Sequence, residues 1–137
     1  MSDAPTITYR CAVCNKPVRP GTGHVGISNA DLRRHREALA IWRLEVEANQ
    51  RTPGEPGVVI SNAALLTFPD RAPWRVHHSA CNPHPDDAGY EFDVGRASTH
   101  EQLLAWTAHL MEKNWVRAET DWAGFVRRHV SAEALRA

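Results

Sequence analysis

The hydrophobic positions change period several times along the chain, and each change marks an element. From Thr6 to Tyr9 the sequence is β-prone and runs directly into Cys11-Ala12-Val13-Cys14. Lys16 to Val18 and His24 to Ile27 flank the turn residues Pro20-Gly21-Thr22-Gly23, which predicts a β-hairpin between them. Leu32, Leu39, Trp42 and Val46 then recur at spacings of seven, three and four. That is the stripe of a long amphipathic helix over about 30–49, with Ser28 or Asn29 as its cap. On its outer face Arg33 with Glu37, and Arg43 with Glu47, lie four apart and are expected to pair.

Arg51 to Gly57 is rich in Pro and Gly and reads as a loop. Val58 to Ile60 is expected as a short strand, and Ser61 as the cap of a brief helix through Leu66. Trp74 to His77 is a second strand candidate. Asn82 to Asp87 is a Pro-punctuated loop, and Tyr90 to Val94 alternates like a half-buried strand. Thr99 with Gln102, or Ser98 with Glu101, forms a capping box. The helix it opens runs to about Lys113, with Leu103, Leu104, Thr107, Leu110 and Met111 predicted to face inward. Trp106 falls off that stripe, and Trp115 sits in the connector that follows. Thr120 is expected to cap a second helix carrying Trp122, Phe125 and Val126, and Ser131 a last turn. The pattern predicts an α+β fold of knuckle and hairpin, long helix, short antiparallel strands and a helical C-terminal third. One domain is expected over 1–137, with 1–6 as a loose N-terminal end and 99–137 as its helical part.

Composition keeps this picture and narrows the setting. At 137 residues, with 42% hydrophobic and 23% charged side chains, the chain resembles ordinary globular proteins. Five Trp imply that a few large side chains carry much of the packing. Sixteen basic and 16 acidic groups cancel, which removes a global cationic excess as an argument for nucleic acid and leaves only local patches. No stretch is apolar enough to span a membrane and no signal peptide is evident. Three cysteines, an odd number, fit a cytoplasmic protein with reduced thiols better than a disulfide framework.

All three cysteines fall into two half-motifs, Cys11-x-x-Cys14 and His78-x-x-Cys81. The first places two sulfurs on one tight turn, with Asn15 suited to the left-handed conformation that such a turn requires. The second places an imidazole and a thiolate three apart, on one face of a single turn. Three thiolates and an imidazole are the usual tetrahedral set of a closed structural zinc, whereas a catalytic zinc keeps one position for water. Residues 15–77 separate the halves, so one zinc ion here braces a larger fold, at a closure cost that grows only logarithmically with length. His77 is the alternative fourth ligand, because neighbouring strand residues face opposite ways and only one of the two histidines can serve.

Cys11 to Cys14, Lys16-Pro17-Val18, the Gly turn and Val76-His77-His78-x-x-Cys81 together resemble half of a LIM-type or treble-clef zinc module, over about 9–28 and 74–83. The stretches Trp74 to His78 and Leu104 to Leu110 are similar to those of small zinc-finger-like proteins of actinobacteria and their phages. The resemblance implies a scaffold for contacts with nucleic acid or protein, and no enzyme activity. Arg33, Arg34 and Arg36, at the start of the long helix, are the candidate nucleic-acid contacts. Arg127, Arg128 and His129 form a shorter second cluster. The enzyme rival is a nuclease of the His-Asn-His kind using His77, Asn82 and His84, although only four residues separate the first His from the Asn. A protein-interaction adaptor is the other alternative. No small-molecule substrate is indicated.

Overall fold

A computed structural model of the chain describes residues 6–50 and 66–130. The predicted strand at 58–60, nearly all of the brief helix after it and the turn at Ser131 lie outside these residues. Among them the architecture is α+β, with four helices and two small antiparallel sheets.

The first sheet pairs β1 (Tyr9–Arg10) with β2 (Pro17–Val18), in register Tyr9 with Val18 and Arg10 with Pro17. The second sheet has β3 (Gly23–Ser28) at its centre, between β4 (Arg75–His78) and β5 (Ala88–Asp93). The hairpin predicted between 16–18 and 24–27 therefore does not form. The chain does turn there, with the Thr22 N–H donating to the Arg19 carbonyl at 3.0 Å, but the flanking strands enter different sheets. Gly23 makes this possible, since a Cβ there would collide with the His77 carbonyl and the Val18 side chain. β3 can thus lie directly against β4.

β3 alternates in burial along its length, and its Val25 and Ile27, with Val76 and Phe92 of the neighbouring strands, face the core. Helix α1 (Asn29–Gln50) follows without a loop. Ser28 Oγ accepts the Asp31 N–H at 3.1 Å, and the Asp87 carboxylate accepts the Ala30 N–H at 3.0 Å, so the helix start is capped from two sides. Leu32 and Val46 are buried and Leu39 and Trp42 half-buried, as the stripe predicts. The expected pairs Arg33–Glu37 and Arg43–Glu47 do not form. Arg34 reaches back to Asp31 at 3.1 Å, and Arg36 grips Glu119 through two bonds of 2.7 and 2.9 Å. The guanidinium of Arg36 holds the Glu119 carboxyl below the usual carboxylate range.

The C-terminal third is helical, in α2 (His100–Met111), α3 (Asn114–Glu119) and α4 (Trp122–His129). The capping box at Thr99 and Gln102 is present in both directions. Leu104, predicted to face inward, is 70% exposed. It lies about 100° round the helix from Leu103, off the narrow face that Leu103 and Leu110 bury. Trp106 instead stacks on Phe92, with centroids 4.1 Å apart. The connector holding Trp115 is a short helix. The cap of α4 is Asp121 rather than Thr120: its carboxylate accepts the Gly124 N–H at 3.0 Å, while the Thr120 hydroxyl is already committed in the core.

Aromatic side chains link these parts. Trp74 meets Trp122 edge to face at 5.2 Å, and Trp122 stacks on Phe125, which in turn stacks on Tyr9. The Tyr9 hydroxyl donates to the Ala97 carbonyl at 2.5 Å, and burial pushes its pKa above the usual range. The N-terminal strand is therefore anchored in the main core before any metal is considered.

Candidate metal centre

The pairing of β1 with β2 brings the two ends of the Cys11–Cys14 turn together. Inside it Asn15 adopts φ 59°, the left-handed value its short amide tolerates. That conformation lets the Asn15 N–H donate to the Cys11 carbonyl at 2.9 Å, and the Cys11 N–H donate to the Lys16 carbonyl at 2.9 Å. The Val13 N–H points at Cys11 Sγ from 3.4 Å. A further bond, from the Ala12 N–H to the Val76 carbonyl at 2.8 Å, ties the knuckle to β4.

The second half-motif begins where β4 ends. After His78 the chain makes a single 3-10 turn, Ser79–Cys81, which carries Cys81 back to the side on which His78 projects. The Ser79 N–H donates to the Thr22 carbonyl at 3.0 Å, holding that turn against the start of β3.

Cys11, Cys14, His78 and Cys81 converge, and their ligand atoms all lie within 4.8 Å of one another. His78 Nδ1 is 3.3 Å from Cys14 Sγ and 3.9 Å from Cys81 Sγ. The other ring nitrogen, Nε2, lies 2.9 Å from the Pro17 carbonyl. A carbonyl only accepts, so Nε2 carries the proton and Nδ1 presents its lone pair to the three sulfurs. The four residues are placed to hold a metal ion.

Local fields prepare the thiols unequally. Burial opposes ionisation of Cys11, but backbone N–H groups of Cys14, His78 and Val13 bring its pKa down to about 6. Cys81 is pushed up, by burial and then by its contacts with Cys14 and Cys11. Three thiolates so close together repel one another, and a cation among them removes that conflict.

His77 occupies the opposite face of β4. It borders a small cleft of about 40 Å³ shared with His24, Asn82, His84 and Glu91. There His24 Nε2 lies 3.1 Å from the Glu91 carboxylate and 3.2 Å from the Asn82 amide. The three residues of the nuclease rival thus share one cleft, on the other side of the strand from the sulfurs. Burial first, then the charges of His24, Arg75 and His84, lower the pKa of His77. Of the α1 arginines, Arg34 and Arg36 are held by Asp31 and Glu119, and Arg33 is exposed.

Two features, one at the centre and one in the cleft behind it, carry no signal in the sequence. The Pro17 carbonyl is a backbone group whose role depends on β2 lying beside His78. The meeting of His24 with Glu91 follows from the pairing of β3 with β5, which residue spacing does not reveal. Among the described residues no helix is long and apolar enough to cross a membrane. In comparisons with family models, curated proteins and solved structures the chain matches none.

Proposed function

We propose that the chain is a non-catalytic binding module, stabilised by one structural zinc ion at Cys11, Cys14, His78 and Cys81, whose partner is nucleic acid. The observation that carries this reading is the completeness of the donor set. Zinc bonds of about 2.3 Å to sulfur and 2.0–2.1 Å to nitrogen put tetrahedral ligand atoms roughly 3.5–3.8 Å apart. The distances of 3.3 and 3.9 Å from His78 Nδ1 bracket that range. Soft thiolates favour zinc over magnesium or calcium, which take oxygen ligands. A fourth protein donor fills the position that a catalytic zinc leaves for water, which argues for bracing over chemistry.

Nucleic acid is favoured over a protein partner by where cations stand without carboxylates. Arg10 bonds the Asn15 carbonyl and Arg128 the Trp74 carbonyl. Neither has an acidic partner among the described residues, so both keep a charge that phosphate would complement.

Metal analysis of the purified protein tests the zinc. One zinc per chain is expected, lost in Cys14→Ser and His78→Gln and kept in His77→Gln. The ligand assignment fails if the two histidine variants behave the other way round. A divalent-metal-dependent DNA nicking activity abolished by His84→Ala would replace this reading with the nuclease one. Binding to protein alone, with no salt-sensitive affinity for DNA or RNA, would replace it with an adaptor.

A further inference from the structure

A groove of about 520 Å³ runs between the metal knuckle and the last helix. Arg10 and Asn15 line it from the knuckle, Arg75 from β4, and Arg128 and His129 from α4. No Asp or Glu lines it among the described residues. In a chain of zero net charge, the guanidiniums of Arg10 and Arg128 beside one groove, with no carboxylate among its described lining residues, are a local excess that the composition hides.

Arg10 and Arg128 are held in the same way. Arg10 donates to the Asn15 carbonyl at 3.1 Å and Arg128 to the Trp74 carbonyl at 3.2 Å. A backbone carbonyl orients a guanidinium without cancelling its charge, and leaves most of its five donors free. Arg75 shares the face of β4 that carries His77 and turns its guanidinium to Asp31 at 3.6 Å, so it is not one of the groove's cations. The α1 cluster differs, since Arg36 is neutralised by a two-bond pair with Glu119.

We infer that this groove, with Arg10 and Arg128 as its cations, receives the phosphodiester backbone of double-stranded nucleic acid. The inference rests on the nucleic-acid reading above and gives it a location different from the α1 arginines. Planar guanidiniums with free donors match phosphate oxygens in pairs, as ammonium groups do not. His129 adds no charge: burial, then the neighbouring Arg128, lowers its pKa to about 4. Trp74, the one large aromatic lining the groove, is fully buried and offers no face for a base to stack on. A surface with cations and no stacking platform suits a duplex backbone better than splayed single strands, and contacts of this kind position a protein without reading sequence. The spacing of the two contacts is held by the protein, because the Ala12 N–H bond to the Val76 carbonyl ties the knuckle of Arg10 to β4, and Arg128 bonds the Trp74 carbonyl just before that strand.

The test is binding of the zinc-loaded full chain to a short mixed-sequence DNA duplex across a salt series. Two phosphate contacts predict a slope of log K against log salt of about −1.8, a loss of about 12-fold between 50 and 200 mM. Arg10→Gln and Arg128→Gln should each reduce that slope by about 0.9. The corresponding Lys variants should retain the slope, which a merely structural role for the guanidinium would not. Zinc content and far-UV circular dichroism of every variant identify any that misfold. Arg33→Gln should leave the slope unchanged. Several results overturn the inference: a slope that responds to Arg33→Gln but not to the groove variants, tighter binding of single strands of equal length, or preferential binding of polyglutamate. The first leaves the nucleic-acid reading standing and moves the interface to α1. No salt-dependent binding of any nucleic acid removes both readings together.

Discussion

Two threonines do similar work in this core, and neither role is visible from residue type. Thr120 Oγ1 accepts the Trp74 indole N–H at 2.9 Å and donates to the Val116 carbonyl at 2.6 Å. Thr107 Oγ1 accepts the Trp122 N–H at 2.9 Å and donates to the Leu103 carbonyl at 2.8 Å. Each hydroxyl passes a buried tryptophan donor on to a helix carbonyl, so that a large apolar ring is buried without stranding its one polar atom. Trp74 and Thr120 are 0% and 3% exposed, so water cannot replace the lost partner. Thr120→Val, nearly isosteric, should therefore cost about 1–3 kcal/mol, and Thr120→Ser should cost less because it keeps the relay. Chemical denaturation of the three proteins reads this directly. Equal stability of Val and wild type would mean that the indole finds another acceptor. At this scale the four converging candidate ligands were legible, since each pair is three residues apart and its geometry is local. The acceptors of the Trp N–H groups lie 46 and 15 residues away, and only the fold supplies them.

For whole elements, periodicity located the long helix, the β5 strand and the start of α2, and it failed where two faces compete. On α2 the residues at one-turn spacing could centre on Leu103 and Leu110 or drift toward Leu104. The choice depends on where β5 lies, because Phe92 provides the surface that Trp106 covers. Trp106→Ala should consequently cost about 3 kcal/mol or more, whereas Leu104→Ala should stay within about 0.5 kcal/mol. The reverse order in thermal melts would place the buried face of α2 where the hydrophobic count alone puts it. Strand pairing was the least legible feature. A turn-rich stretch between two β-prone runs usually makes a hairpin, but here the knuckle draws β2 back onto β1 and leaves β3 free for β4 and β5.

Across the whole molecule, the proposed metal and the aromatic core would hold the same N-terminal segment in different ways. Tyr9 is fixed by Phe125 and by the Ala97 carbonyl, and the Ala12 N–H by the Val76 carbonyl. The two half-motifs also meet directly, where His78 Nε2 bonds the Pro17 carbonyl at 2.9 Å and the four ligand atoms converge. Small zinc fingers have no core beyond the metal and unfold without it. Here Trp74, Trp122, Phe125, Leu110 and Val116 are buried independently of the four ligands. Removing the metal should therefore weaken the protein without abolishing its fold. By analogy with a cross-link closing a loop of this length, the loss is about 4 kcal/mol, to which thiolate repulsion adds. That corresponds to a melting temperature lower by roughly 10–20 °C, with cooperative unfolding and helical circular dichroism retained. A strong chelator added before a thermal melt, with zinc restored as the control, gives the measurement. A random-coil spectrum at low temperature would make the metal the nucleus of the fold. An unchanged melting temperature would mean that the four ligands brace nothing, and that the contacts of Tyr9 and Ala12 suffice to hold the knuckle in place.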